Sequence, residues 1–315
     1  MKNDIRFLVT KACNYGCYFC YSEGASEVIR RHQLSVDNYV TLYDIYSKME
    51  KWNGVTLSGG EPLLFKDLDT LLQKLNERGA NITIVTNGSL LHSHLTSMKY
   101  VKRLNVSIHT LNPEMYSQIT NREERKLFIV KENLKVIRNL YPEIEIRLNV
   151  TPCKNQKWSL QELQELISFA EEINATIKCT ELFPNTLEDC VNIETLRKEL
   201  QNLGYIYKPT ESRTECYEKA EKEIFLTQCT CSKAILYDNP VAYCRKNHDL
   251  YVNYNATFLL CRLGTENIDF WEEIQEGKLD ILELKMKLAK LRVSSETCKV
   301  GGQAVLGRQP SWSTP

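Results

Sequence analysis

The chain has 315 residues, with 40 Lys and Arg against 40 Asp and Glu, so its formal net charge is zero. That balance argues against a protein driven to nucleic acid or to an anionic membrane by bulk charge. Apolar residues at 43% and charged residues at 25% match globular averages, which argues against dominant disorder and suits one large domain or two.

No apolar run approaches the ~18–20 residues of a membrane span, and the stretch from Met1 to Thr10 lacks signal-peptide anatomy. The expectation is a cytoplasmic protein with neither a membrane nor a nucleic-acid partner. The chain has 12 cysteines, and in a reducing compartment that number points to metal or cluster ligation ahead of a disulfide framework.

In chain order, β-branched runs alternate with helical-period segments up to about residue 181, the pattern of repeated βα units. Strands are expected at 5–10, 54–58, 82–86, 103–107, 143–150 and 176–181, with amphipathic helices at 35–51, 67–78, 126–140 and 159–173. Six parallel strands joined by right-handed crossovers predict an α/β fold, a partial (β/α)6 TIM barrel whose reactive residues gather where strands end. Beyond 182 the pattern changes to a helix at 188–203, shorter segments, and a hairpin turning at Asn255 and Ala256. The expected division is a core at 1–185, a cysteine-bearing region at 186–300 and an extended tail at 301–315.

The first strand runs into Cys13-Asn-Tyr-Gly-Cys17-Tyr-Phe-Cys20, a C-x3-C-x2-C loop. Three thiolates on one short loop suit three irons of a cubane and leave the fourth iron open. A zinc loop or buried thiols are the bland alternatives, although structural zinc sites usually pair one C-x2-C with a second. Three further signals fall at expected strand ends. Ser58-Gly59-Gly60-Glu61-Pro62 combines glycines that let backbone approach closely with a carboxylate that accepts from an ammonium. Thr86-Asn87-Gly88 is a turn, and Ser107 closes the fourth strand.

The cysteine spacing, with Phe19 before the third cysteine, resembles the signature of the radical S-adenosylmethionine (SAM) superfamily. The resemblance implies a 4Fe-4S cluster on Cys13, Cys17 and Cys20 and SAM chelated by the open iron. Reductive cleavage then gives a 5′-deoxyadenosyl radical that abstracts a hydrogen from substrate. It also implies SAM contacts from Phe19, Gly59, Gly60, Glu61, Thr86, Asn87, Ser107 and Arg147; for Arg147 an exposed strand arginine is the plain alternative. An external flavodoxin or ferredoxin-type donor is the implied reductant.

Residues 17–24, Leu57 to Leu64, and Val106-Ser107 further resemble the GTP 3′,8-cyclase family. That likeness implies a second, auxiliary 4Fe-4S cluster in the region of Cys244 and Cys261. The family's C-x2-C is absent, because Val241 stands three residues before Cys244, so Cys229 and Cys231 are the nearest substitutes. Each of these four has the alternative of a buried small hydrophobe or a free thiol. Cys153, Cys179, Cys190, Cys216 and Cys298 are left at that reading, Cys216 being the first exception to consider. For the substrate's phosphates, Arg6 matches a family arginine, while Lys246, His248 and Phe65 stand where others are expected, which weakens a triphosphate assignment. His109 is either a substrate contact or a satisfied histidine, and 121–126 reads as a solvated helix start. The functional expectation is a two-cluster radical SAM enzyme acting on a small molecule, with nucleotides among the candidates. The alternatives are a maturase of a ribosomally made peptide and a non-catalytic iron-sulfur or zinc protein.

Overall fold

The structure is a computed structural model and describes residues 4–20, 33–50, 52–153, 158–181, 191–210, 214–227, 249–259 and 267–294. Six strands, β1 (Ile5–Thr10), β2 (Gly54–Gly59), β3 (Asn81–Thr86), β4 (Arg103–Ser107), β5 (Glu145–Val150) and β6 (Thr176–Thr180), pair in parallel in sequence order. Helices α1 (Val36–Glu50), α2 (Leu68–Asn76), α3 (Pro113–Thr120), α4 (Arg125–Leu140) and α5 (Leu160–Glu172) make the crossovers, with 3-10 turns at Pro62–Leu64 and Leu91–Tyr100. β1 and β6 do not pair with each other, so the (β/α)6 barrel stays open.

Strand alternation sorts the side chains onto two faces. Phe7, Leu57, Ile84, Leu104, Val106, Leu148 and Ile177 belong to one continuous core beneath the helices. The opposite face is polar: the register aligns Asn105 with Arg147, Ser107 with Asn149, and Asn149 with Lys178.

The chain after the expected boundary at 185 enlarges this same sheet at both edges. Following α6 (Ile193–Asn202), the strands β7 (Ile206–Lys208), β8 (Thr214–Lys219) and β9 (Lys222–Thr227) join it, β9 lying parallel to β6. On the other side β10 (Leu250–Asn253) lies parallel to β1 and leads into β11 (Thr257–Leu259) and β12 (Asn267–Asp269). The hairpin expected at Asn255 and Ala256 is therefore present, with Ala256 at φ 65°. A short helix α7 (Trp271–Gln275) and a longer one, α8 (Ile281–Ser294), follow. The β8 to β9 turn carries Ala220 and Glu221 at φ 47° and 65°, a left-handed pair that hairpins usually assign to Asn or Gly.

Candidate functional site

The loop leaving the C-terminal end of β1 carries the three cysteines and rests on the end of α3. Asn112 caps that helix, its Oδ1 accepting from Met115 N–H at 3.0 Å, and Asn121 ends it in the left-handed conformation at φ 54°. The last carbonyls of a helix have no intrahelical donor. Here Gly16 N–H donates to Thr120 O at 3.0 Å and Tyr18 N–H to Ile119 O at 3.3 Å. Arg122 adds a hydrogen bond from Nε to Asn14 O. The run expected as a solvated helix start is thus divided: α4 begins at Arg125, while Asn121 and Arg122 form the turn that holds the cysteine loop.

A second set of contacts ties the loop to the ends of β2 and β3. Asn87 Nδ2 donates to Asn14 Oδ1 at 2.8 Å, and Asn14 Nδ2 donates to Ser89 Oγ at 3.0 Å. Gly60 N–H donates to Thr10 O at 2.7 Å and Glu61 N–H to Ala12 O at 2.8 Å. A Cβ on Gly59, whose φ is +126°, would lie 2.3 Å from Thr10 O, and one on Gly60 would lie 2.2 Å from Ala12 O. The glycines, expected to admit a ligand, make room for the backbone that begins the cysteine loop.

Glu61 is only 1% exposed. Its Oε1 accepts from Leu63 N–H at 3.0 Å and from Thr86 Oγ1 at 2.6 Å, and its Oε2 accepts from Asn87 N–H at 2.8 Å. Burial pushes its pKa up, opposed by those three donors. With both oxygens engaged, the side chain clamps the β2 and β3 turns together. Thr86 is likewise engaged, donating to Glu61 and accepting from Gly88 N–H at 3.0 Å.

The thiols fit an electropositive cluster in chemistry. Cys13 and Cys20 are exposed and Cys17 is half-buried. Burial, followed by the neighbouring Cys20 and Cys13, pushes the Cys17 thiol up to about 12, and burial and Glu61 raise Cys13. Thiolates here repel one another until positive metal compensates them. Among the described residues no three ligands converge at single-ion distances. A cubane differs from a lone zinc in assigning each thiolate to a different iron, so the three need only border one cluster.

Phe19 lies between Cys17 and Cys20 and packs on Cys153, in a small cluster apart from the main core. Its ring meets that of His109 edge to face, with centroids 5.0 Å apart and planes at 89°. His109 Nδ1 accepts from Thr151 N–H at 3.1 Å, and its carbonyl accepts from Trp158 Nε1 at 2.8 Å. Of the two readings the sequence left open for His109, its burial and these bonds match the satisfied histidine.

The remaining expected residues are spread along the barrel. Ser107 ends β4 on the polar face opposite Asn149. Arg147 lies on the same face, its guanidinium stacked 4.6 Å from the Phe225 ring centroid, with burial lowering its pKa to about 10. Arg6 sits at the second position of β1 and is ion-paired with Asp249 at 3.0 Å. Cys179 and Cys216 are buried on β6 and β8. Cys229, Cys231, Cys244, Cys261, Lys246 and His248 lie outside the described residues, as do Cys190 and Cys298. Asn14, Arg122, Asn105, Asn149 and Asp249 were not anticipated. Asn14 stands inside the cysteine signature, which was the available signal; the others depend on partners distant in sequence.

Residues 7–167 match the profile of the radical SAM superfamily. The chain belongs to that superfamily. Curated relatives of this radical SAM protein include one from Methanocaldococcus jannaschii named probable GTP 3′,8-cyclase, 31% identical over 70% of this chain and 68% of the relative. A Thermococcus kodakarensis protein of the same name is 24% identical over 98% of this chain and 96% of its own. Among solved structures, Streptococcus suis SuiB bound to S-adenosylmethionine covers 98% of this chain and 75% of its own with TM-score 0.64 at 15% identity. Native anSMEcpe with bound AdoMet covers 84% of this chain and 75% of its own with TM-score 0.50 at 12% identity, a likeness of fold. Among the described residues no helix is long and apolar enough to cross a membrane.

Proposed function

We propose that this radical SAM protein carries a 4Fe-4S cluster on Cys13, Cys17 and Cys20, cleaves SAM reductively and abstracts a hydrogen from a small, polar, nucleotide-like substrate inside the open barrel. When bound, the reduced cluster and SAM supply the 5′-deoxyadenosyl radical. The chain's own part is geometric: Glu61, Asn87 and Asn14 hold the ends of β2 and β3 against the cysteine loop, which fixes where a bound SAM lies relative to the barrel mouth. Phe19, Ser107 and Arg147 are the side chains offered to it. A flavodoxin or ferredoxin-type protein is the proposed electron donor.

The observation that carries the substrate reading is the polar inner face. Closed barrels fill their interior with layers of branched apolar side chains. Here Asn105, Ser107, Arg147, Asn149 and Lys178 line it, and the buried Oδ1 atoms of Asn105 and Asn149 have no partner. An unmet buried acceptor costs about 1–3 kcal/mol, so a ligand bearing N–H or O–H groups is favoured there. The relatives' names favour a nucleotide. The pairing of Arg6 with Asp249 leaves that arginine less available to a triphosphate than the sequence suggests. A second cluster in the region of Cys244 and Cys261 is part of the proposal on the likeness to the cyclase family; in sequence, the β10 and β11 hairpin lies between these two cysteines. Cys229 and Cys231 complete the proposed set, with Lys246 and His248 toward the substrate.

Anaerobic reconstitution with iron and sulfide, then incubation with SAM, dithionite and GTP, tests the reading by iron count and mass spectrometry. About eight irons per chain, 5′-deoxyadenosine and a product isomeric with GTP are expected of a cyclase. Deoxyadenosine with untouched GTP moves the substrate to another nucleotide or to a peptide, and absence of deoxyadenosine refutes SAM cleavage. Cys244→Ala and Cys261→Ala are expected to lower iron by about one cluster while sparing cleavage of SAM, and unchanged iron removes them from the auxiliary site.

A further inference from the structure

The anchors that tie the cysteine loop to α3 end at Tyr18. Beyond it, Phe19 carries the loop toward Cys20 and is packed apart from the main core, against Cys153 and the His109 ring. Its other ring neighbour, Tyr18 at 5.2 Å, is 41% exposed and belongs to the same loop. Cys20 N–H also donates to Cys17 O at 3.0 Å, so among the described residues the supports of the Phe19 ring from outside the loop are Cys153 and the His109 ring.

His109 itself is fixed from three directions. Thr151, just after β5, donates its N–H to Nδ1, and Trp158 at the start of α5 donates to the His109 carbonyl. The next residue, Thr110, donates its hydroxyl to the buried carboxylate of Glu162. Cys153, the second support of Phe19, is held by its own Sγ contact to Thr151 O at 3.1 Å. A neutral imidazole satisfies both demands of the place: one ring nitrogen accepts from Thr151 while the ring forms an aromatic wall.

We infer that His109 is a positioning residue of the SAM site: its ring holds Phe19, and through Phe19 the span from Cys17 to Cys20, in register with the ends of β4 and β5. The inference rests on the reading that this loop carries the cluster to which SAM binds. Phe19 is the group offered to SAM; His109 acts through it. An acceptor without a ring, or a ring displaced from Phe19, leaves the second half of the loop free to shift relative to Ser107. Iron binding by the three cysteines does not need the ring, but the fit of SAM to cluster and barrel does.

The test uses the reconstituted full chain with His109→Phe, His109→Asn and His109→Ala, reading iron per chain and the electron paramagnetic resonance signal of the reduced cluster as SAM is titrated. All variants are expected to keep wild-type iron. His109→Asn, which retains an acceptor for Thr151, and His109→Ala are expected to need about tenfold more SAM to convert the signal, the size of one lost aromatic pair. His109→Phe, which keeps the ring, is expected to titrate within about twofold of wild type. In a Phe19→Leu background, His109→Asn is expected to add no further loss, since residues acting through one another are not additive. Wild-type titration by His109→Asn, or full additivity with Phe19→Leu, overturns the inference. So does a His109→Phe variant as impaired as His109→Asn, since the ring by itself would then not hold the site. Were the wild-type protein itself to show no SAM-dependent signal, the family-based site reading would fall first and this inference with it.

Discussion

Replacing Gly60 with alanine tests how the cysteine loop is positioned. The added Cβ would lie 2.2 Å from Ala12 O and 2.6 Å from Lys11 O, where ordinary contact begins at 3.4 Å. The crowding atoms are backbone and cannot rotate away, so the start of the loop must move by about 1 Å. That movement weakens the bonds from Gly60 N–H to Thr10 O and from Glu61 N–H to Ala12 O. Two backbone hydrogen bonds at about 1 kcal/mol each, plus about 1–3 kcal/mol of overpacking, give a loss of about 3–5 kcal/mol. For a chain of this length each kcal/mol lowers Tm by about 1.5 °C, so a fall of about 5–7 °C is expected in calorimetry. Cleavage of SAM by the reconstituted variant should fall about 10- to 100-fold, the effect of an ångström of misplacement. Gly79→Ala is the control: nothing lies within 4 Å of its Cβ, and its φ of +71° predicts a backbone cost of about 1 kcal/mol with wild-type cleavage. A Gly60→Ala protein that melts within about 1 °C of wild type and cleaves SAM normally would refute the argument that this close approach sets the loop.

Glu61→Gln is expected to destabilise by about 1–3 kcal/mol in chemical unfolding, because an amide cannot accept from Leu63, Thr86 and Asn87 at once. Equal stability would mean that relief of the buried charge outweighs the three donors. Cys17→Ala should abolish formation of 5′-deoxyadenosine while leaving circular dichroism unchanged, and persistent deoxyadenosine would remove Cys17 from the cluster. For His109, burial lowers the folded pKa from 6.5 to about 4, so the neutral form is the folded one. Its contribution is complete above 6.5 and fades as pH falls toward 4, a loss of about 3 kcal/mol. Unfolding of the wild type and of His109→Phe, compared across that window, should show the extra pH dependence in the wild type alone; parallel curves would contradict a buried neutral imidazole.

The parallel strands, their order and the cysteine loop were legible because each rests on local information. Alternation of apolar residues marks a strand within a few positions, and the three cysteines stand within one loop. The hairpin at Asn255 and Ala256 was readable for the same reason, whereas the turn at Ala220 and Glu221 was not, since neither residue favours a positive φ. Chemistry shared between distant residues was harder to read. Glu61 presents a carboxylate to any reader of the sequence, yet its partners Thr86 and Asn87 lie on the next strand end and use both of its oxygens.

By itself the sequence determined the superfamily of this protein: the cysteine spacing and strand-end turns resemble the radical SAM signature and are legible because ligand type and loop length are local properties. Tertiary structure decided what those residues touch. It assigned Gly59 and Gly60 to the backbone of Thr10 and Ala12, Arg6 to Asp249, and Phe19 to His109. It also joined β7 to β12 to both edges of the sheet. Those outcomes depend on which strand ends pairing and side-chain alternation bring together, and contacts made across tens or hundreds of residues leave no periodicity in the chain.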